Sequence, residues 1–296
     1  MKVAVIGLGT MGAPMAANLL KGGCQVVVHN RTRSREEALV LQGAARAATP
    51  REAAAGADAV LTCVSDTPDA EQVTLDPRDG VIAGAAGGAL VIDCSSIAPA
   101  AARRIAAALA AKGVGYVDAP VSGGSEGAQK ATLAIMCGGS EADFIRAKAV
   151  LEKIGKSIVH VGPVGCGQIA KAVNQVVIAG TYQAVAEGLC LAKKAGADPA
   201  RVVAAIENGA AASWVMANRA KNMREDRYPL GFRVRLHRKD LAIALDTARA
   251  VGLPLPVASY VATQEDGLIA RGHGDEDMSA IARTVRRNGN VADGPM

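Results

Sequence analysis

The 296-residue chain carries 33 Lys and Arg against 28 Asp and Glu, a formal net charge of +5, and is 50% hydrophobic but only 2% aromatic. That length suits two domains or one large one with a sizeable core, while few aromatics and no helix-turn-helix, zinc-finger or RNA-binding signature argue against nucleic acid. No apolar run is long enough to span a bilayer, and the opening residues turn into strand and glycine turn too early for a signal peptide, so a soluble cytoplasmic protein without membrane partners is expected.

Residues 2–7 form a short apolar run ending at glycine, as a fully buried parallel strand does. Residues 11–21 then place Met11, Met15, Leu19 and several alanines at helical spacing, and Gly22-Gly23 closes the helix. A β-branched run at 25–29 completes one βαβ unit. Further strands are predicted over 59–64, 89–93, 115–118, 132–137 and 157–161, with helices over 100–112 and 141–154. The alternation predicts an α/β class with a doubly wound, mostly parallel sheet. After Gly162-Pro163-Val164-Gly165 the pattern changes to one long helical run, 168–195, followed by helices at 199–208, 213–225, 238–250 and 256–270. Two domains are therefore predicted, an α/β domain over 1–162 and an all-helical one over 163–296. The tail from Arg286, with Asn288-Gly289-Asn290 and Gly294-Pro295, is expected to be mobile.

Gly7-Leu8-Gly9-Thr10-Met11-Gly12 matches G-x-G-x-x-G directly after a strand and before a helix. In that setting the first glycine allows the tight turn, the second lets backbone approach a pyrophosphate, and the third permits close helix–strand packing. The next strand ends Asn30-Arg31-Thr32, with no acid in place to hold a ribose 2′-hydroxyl. Arg31 offers a charge to a 2′-phosphate and Thr32 a hydroxyl donor, which favours NADP over NAD. Arg31 as a plain surface residue is the competing reading.

Asp118-Ala119-Pro120-Val121-Ser122-Gly123-Gly124 follows a strand, and two glycines after a serine expose consecutive N–H groups that suit a carboxylate. Gly165 to Gln175 opens the long helix, where Lys171, Asn174 and Gln175 stand at i, i+3 and i+4 on one face. A lysine in an apolar helix is costly to bury unless paired or used. Desolvation lowers the pKa of such an amine, which suits general acid–base work. The basic run from Arg219 to Lys239 reads either as a solvated face or as a source of one or two phosphate or carboxylate contacts.

These motifs, with Asp93-Cys94-Ser95-Ser96-Ile97-Ala98-Pro99 and His237-Arg238-Lys239-Asp240-Leu241, resemble the β-hydroxyacid dehydrogenase family over nearly the whole chain. That family includes 3-hydroxyisobutyrate dehydrogenases, tartronate semialdehyde reductases and glyoxylate or succinic semialdehyde reductases. The resemblance implies a Rossmann domain followed by a helical domain, an active site in the cleft between them, and homodimers or homotetramers. It makes Lys171 the acid–base group, with Asn174 its neighbour positioning the substrate, Ser122 also catalytic, and Gln175 on the substrate. Ser122, Gly123 and Gly124 would bind the substrate carboxylate. Ser96 would lie near nicotinamide and substrate, Val64 and Ser65 would line the cofactor path, and Lys239 would close over the cofactor. The expected substrate is a small carboxylate-bearing aldehyde or hydroxy acid. Asn174-Gln175 looks more like the tartronate semialdehyde reductases, whereas Asn30-Arg31-Thr32 resembles the NADP-using glyoxylate and succinic semialdehyde reductases.

An imine reductase normally lacks the lysine, and a phosphogluconate dehydrogenase has a longer helical domain. A catalytically silent NADP-binding protein need not keep Lys171, Asn174 and Ser122 together. The four histidines show no ligand spacing, so no metal is expected, and His29 and His237 read as structural or near the cofactor. Six cysteines without CxxC spacing, mostly in apolar runs, are expected as buried thiols.

Overall fold

A computed structural model describes residues 1–296. In chain order the first part comprises β1 (Lys2–Ile6), α1 (Gly12–Lys21), β2 (Gln25–His29), α2 (Glu37–Val40), β3 (Ala45–Arg46), α3 (Pro50–Ala54) and β4 (Ala59–Thr62). It continues through α4 (Thr67–Leu75), α5 (Val81–Gly84), β5 (Leu90–Asp93), α6 (Pro99–Ala110) and β6 (Gly115–Asp118). Then come β7 (Val121–Ser122), α7 (Gly124–Lys130), β8 (Leu133–Gly138), α8 (Glu141–Leu151) and β9 (Gly155–Gly162). The remainder is helical: α9 (Cys166–Lys194), α10 (Pro199–Ile206), α11 (Trp214–Glu225), α12 (Val234–Ala250), α13 (Pro256–Ala270) and α14 (Ile281–Asn288). Backbone contacts divide the chain into two compact units, Met1–Lys171 and Ala172–Met296.

In the first unit the strands run β3-β2-β1-β4-β5-β6-β8-β7, with β9 on β8. The pairs among β1 to β6 are parallel, β8 runs antiparallel to β6 and β7, and β9 runs parallel to β8. Two three-strand halves thus diverge from the β1–β4 junction, the switch point at which a dinucleotide crosses the strand ends. Strand alternation explains the two buried layers. Val3 and Val5 pack with Met15, Leu19, Leu61 and Ile92 on one face, and Ala4 and Ile6 pack with Val60, Val91, Ile105 and Leu109 on the other. With both faces covered, these strands carry β-branched residues nearly without interruption, each buried side chain stabilising by about 1.5–3 kcal/mol.

The helical unit packs Tyr182, Leu189, Val215, Met223, Leu241, Val261, Leu268 and Ile281 into one core. Ser213 caps α11, its Oγ accepting from Met216 N at 3.0 Å. Trp214, the only tryptophan, stands 54% exposed at the start of that helix, with the Arg219 guanidinium 4.7 Å from its ring centre. α12 begins at Val234, four residues before the 238 start predicted from periodicity. Its first turn is anchored from outside: Val234 N and Arg235 N donate to Glu276 O and Gly274 O.

Two expectations are corrected here. The tail is not loose: Arg286 is fully buried in α14 and donates to the carbonyls of Met223, Arg224, Ala292 and Gly294, while Met296 N donates to Arg224 O. A guanidinium has five donors in a fixed fork, so one side chain collects four carbonyls and fastens the tail. Arg286→Ala strands those acceptors and is expected to cost about 2–4 kcal/mol, read by denaturant unfolding; a loss below about 0.5 kcal/mol, the scale of an ordinary surface change, contradicts the fastening. Nor is the basic run simply a solvated face. Arg219 is buried 3.5 Å from Asp277, and carboxylates answer Arg235 (Asp275, 2.6 Å), Arg238 (Asp266, 2.7 Å) and Lys239 (Asp240, 2.9 Å).

Candidate active site

In the first unit the expected cofactor residues gather where β1, β2 and β4 end. Gly7 adopts φ +93°, and a Cβ there would lie 2.3 Å from Cys63 O; a Cβ on Gly12 would lie 1.9 Å from Gly7 O. Both positions therefore need glycine for the turn and for close packing. Gly9 differs, because a Cβ there would meet nothing within 4 Å. The turn thus leaves open space over its second glycine, ahead of the α1 N-terminus, where Ala13 N donates to Gly9 O and Met15 N to Met11 O. Asn30 ties the turn to β2: its Oδ1 accepts from Leu8 N at 2.8 Å and its Nδ2 donates to Thr32 O at 2.8 Å. Val64 N donates to Ser95 Oγ at 2.9 Å, joining the residues after β4 to those after β5.

The end of β2 itself carries no acid, but Glu36 follows seven residues later. Glu36 is fully buried, accepts from Asn30 N at 2.8 Å, and meets Arg33 and Arg46 at 3.0 and 2.9 Å. It is spent on neutralising those cations and shaping the turn. The Arg31 side chain is 86% exposed, with Asp69 at 3.5 Å.

Ser96 and Ser122 follow β5 and β6. Asp93 organises the first segment, its Oδ1 accepting from Thr62 Oγ1 and Ser95 N (both 2.9 Å) and its Oδ2 from Tyr116 OH at 3.2 Å. Burial pushes the Asp93 carboxyl and the Tyr116 hydroxyl upward in pKa. Ser122 pairs in β7 with Ala134 of β8, and Gly123 and Gly124 follow at φ +128° and +64°. That left-handed pair turns the chain sharply into α7, a conformation glycine adopts without strain.

Lys171 closes the first unit on α9. It is 8% exposed, and its Nζ donates to Val121 O at 2.9 Å, one residue before Ser122. The helix start is held by Asp118, whose Oδ1 and Oδ2 accept from Gly165 N (2.7 Å) and Gln168 N (2.9 Å). Burial raises the Asp118 carboxyl to about 6 despite those two donors. Gln168, one turn before Lys171, donates from Nε2 to Ser95 O at 2.8 Å and accepts at Oε1 from Ile97 N at 3.1 Å.

In the helical unit Asn174 Nδ2 donates to Gln175 Oε1 at 2.7 Å, and Gln175 Nε2 donates to Asp240 Oδ2 at 2.6 Å. Asp240 Oδ1 lies 2.9 Å from Lys239 Nζ. The expected substrate amide and the expected cofactor lysine are thus joined through two buried side chains. Buried His237 lies 2.6 Å from Glu265 by Nδ1 and 3.3 Å from Gln175 O by Nε2.

Residues 2–162 match the model of the NAD binding domain of 6-phosphogluconate dehydrogenase. Residues 165–285 match that of the NAD-binding domain of NADP-dependent 3-hydroxyisobutyrate dehydrogenase. The 2-hydroxy-3-oxopropionate reductase of Escherichia coli is 39% identical over 98% of this chain and 99% of its own. The 3-hydroxyisobutyrate dehydrogenase of Pseudomonas aeruginosa is 39% identical over 87% and 88%. The chain belongs to the β-hydroxyacid dehydrogenase family. The fold agrees: 3-hydroxyisobutyrate dehydrogenase of Mycobacterium tuberculosis, solved with L-serine, superposes with a TM-score of 0.88 at 34% identity, covering 96% of this chain and 99% of that one.

For this β-hydroxyacid dehydrogenase, the sequence alone did not single out three buried polar residues, Glu36 and Gln168 in the first unit and Asp240 in the helical one. Glu36 lies seven residues beyond the strand end, in a 3-10 turn. Gln168 and Asp240 lie within the quoted motifs, so the signal was a polar side chain at a helix position that proves buried.

Proposed function

We propose that the protein interconverts a small 3-hydroxy acid, or a 2- or ω-hydroxy acid, and its semialdehyde, using NAD(P) with NADP favoured. The observation that carries this reading is a buried lysine, Lys171, held on the carbonyl beside Ser122-Gly123-Gly124. The residues present suit a dinucleotide: Gly9 leaves open space where a Cβ would stand, next to a helix N-terminus. Gly7 to Gly12, Asn30 to Thr32, Val64, Ser65, Ser96 and Lys239 would hold it. Reduced nicotinamide, when bound, supplies hydride to the carbonyl carbon.

The chain's own groups do the rest. Ser122 Oγ and the N–H groups of Gly123 and Gly124 take the substrate carboxylate. Lys171 gives its proton to the oxygen that becomes the alcohol, and recovers it as base in the reverse direction. Val121 O fixes the amine, so the proton donor is oriented before substrate arrives. Asn174, held by Gln175, orients the reacting oxygen.

NADP is supported by an exposed Arg31, which a 2′-phosphate would draw from Asp69, and by Glu36 being already paired with Arg33 and Arg46. Exposed Val173, Val177 and Leu191 on α9, with Val257 and Tyr260 on α13, support a homodimer or homotetramer. The six cysteines form no disulfide, as a cytoplasm would keep them. No helix is long and apolar enough to cross a membrane.

Initial rates with NADPH and NADH against tartronate semialdehyde, glyoxylate, succinic semialdehyde and methylmalonate semialdehyde test the reading. Turnover of one aldehyde with NADPH preferred is expected, and inertness toward all four sinks it. Arg31→Ala should raise KM for NADPH about tenfold while leaving KM for NADH within about twofold, the loss of one charge-assisted phosphate contact; equal effects on both cofactors remove Arg31 from the 2′-phosphate.

A further inference from the structure

We propose that Gln168, itself held by Asp118, is a positioning residue that keeps Ser96 in register with Lys171; this rests on the reading of those two residues as site groups. Gln168 is only 2% exposed, and its amide bonds to both neighbours of Ser96: Nε2 donates to Ser95 O and Oε1 accepts from Ile97 N. Its main-chain N–H goes to Asp118 Oδ2. The bracketed turn is also tied by Ser95 N to Asp93 and by Val64 N to Ser95 Oγ. The loop after β5, the residues after β4 and the first turn of α9 are therefore joined in one hydrogen-bonded piece.

The side-chain type matters. The bracket needs one donor and one acceptor on a single planar group, which a primary amide supplies and an ionised carboxylate does not. Leucine fills similar volume but leaves Ser95 O and Ile97 N–H without the partner they have here. Gln168 and Lys171 stand three residues apart on α9, so whatever fixes the one to the Ser96 turn fixes the other's helix to it. A proton donor displaced by even about 1 Å from the reacting oxygen costs on the order of 100-fold in rate.

The test compares wild type with Gln168→Leu and Gln168→Glu. For Gln168→Leu we expect kcat to fall about 30- to 100-fold, with the dissociation constant for NADPH within about threefold, because Ser96 and Val64 are only two of the groups that would hold the cofactor and the glycine turn is untouched. Hydrogen exchange at the Ile97 amide should quicken at least about tenfold in the same variant. For Gln168→Glu we expect activity relative to wild type to recover at least about tenfold as pH falls from about 8.5 to about 6, since a neutral carboxyl again offers one donor and one acceptor. Dividing by wild type removes the titrations of the groups facing the clamp, which are Asp93 and Tyr116 behind Ser95, Cys94 before it, and Asp118 and Lys171 on the helix side. A structural defect alone would not be rescued by acid, and Gln168→Glu also decides the matter if Gln168→Leu fails to fold. Gln168→Leu kinetics within about threefold of wild type, or a flat Gln168→Glu ratio, overturns the proposal. A wild type inert toward every aldehyde would instead sink the functional reading. Exchange at Ile97 then judges the clamp: unchanged exchange in Gln168→Leu overturns it, and faster exchange upholds it.

Discussion

Lys171→Ala is expected to lower kcat by about 10³- to 10⁴-fold while NADPH binds within about threefold of wild type. The expectation follows from where the amine sits. Its Nζ is buried on Val121 O, one residue before Ser122 of the proposed carboxylate cradle, whereas the proposed pyrophosphate turn is Gly7 to Gly12. A general acid–base group contributes to the transition state and little to ground-state cofactor affinity, so the loss should fall on kcat and kcat/KM together. Single-turnover measurement with saturating NADPH separates this from slowed product release. Turnover within about tenfold of wild type would assign the proton to another group. Because alanine also leaves Val121 O without its donor, Lys171→Arg is the companion variant. It keeps a cation over the carbonyl but holds its proton too tightly to give up, and should be nearly as slow.

Gly9→Val should behave in the opposite way, folding normally and binding almost no cofactor. A Cβ at Gly9 meets no protein atom within 4 Å, so thermal unfolding should shift by no more than about 2 °C, as for a substitution that creates no clash. The same side chain occupies the space a pyrophosphate needs, and affinity for NADPH should fall at least about 100-fold in a fluorescence titration. Gly12→Ala makes the control, since its Cβ would lie 1.9 Å from Gly7 O and must break the turn itself. Unimpaired binding by Gly9→Val would remove the glycine turn from the cofactor site.

Much of this was legible in the sequence because the parallel sheet is buried on both faces. Such strands are written as β-branched and aliphatic runs, and β1, β4 and β5 are, apart from Lys2 and Asp93 at their ends. The glycine turn was equally readable, since Gly7 and Gly12 meet backbone at distances no other residue tolerates. β7 is two residues long, too short to carry a period, and α4 is amphipathic only weakly, with Ala70 and Thr74 its buried residues. The fate of charged residues was least legible. Glu36 and Arg286 read as surface residues, yet each is buried by partners that only the fold assembles: Arg46 for the acid, and carbonyls more than sixty residues earlier in the chain for the arginine. Gln175 shows the same limit within the site, its amide being engaged by Asn174 and Asp240.

The scarcity of aromatic side chains has a practical side. Trp214, the sole indole, belongs to the helical unit and lies against Arg219. Intrinsic emission excited at the indole band therefore witnesses melting of residues 172–296 and is blind to the sheet that carries the nucleotide turn. Tyr116, buried in β6 against Asp93, is the native chromophore closest to that sheet's centre. If the two units melt at different temperatures, indole emission and far-ultraviolet dichroism will report different midpoints for one molecule, and neither alone describes its stability.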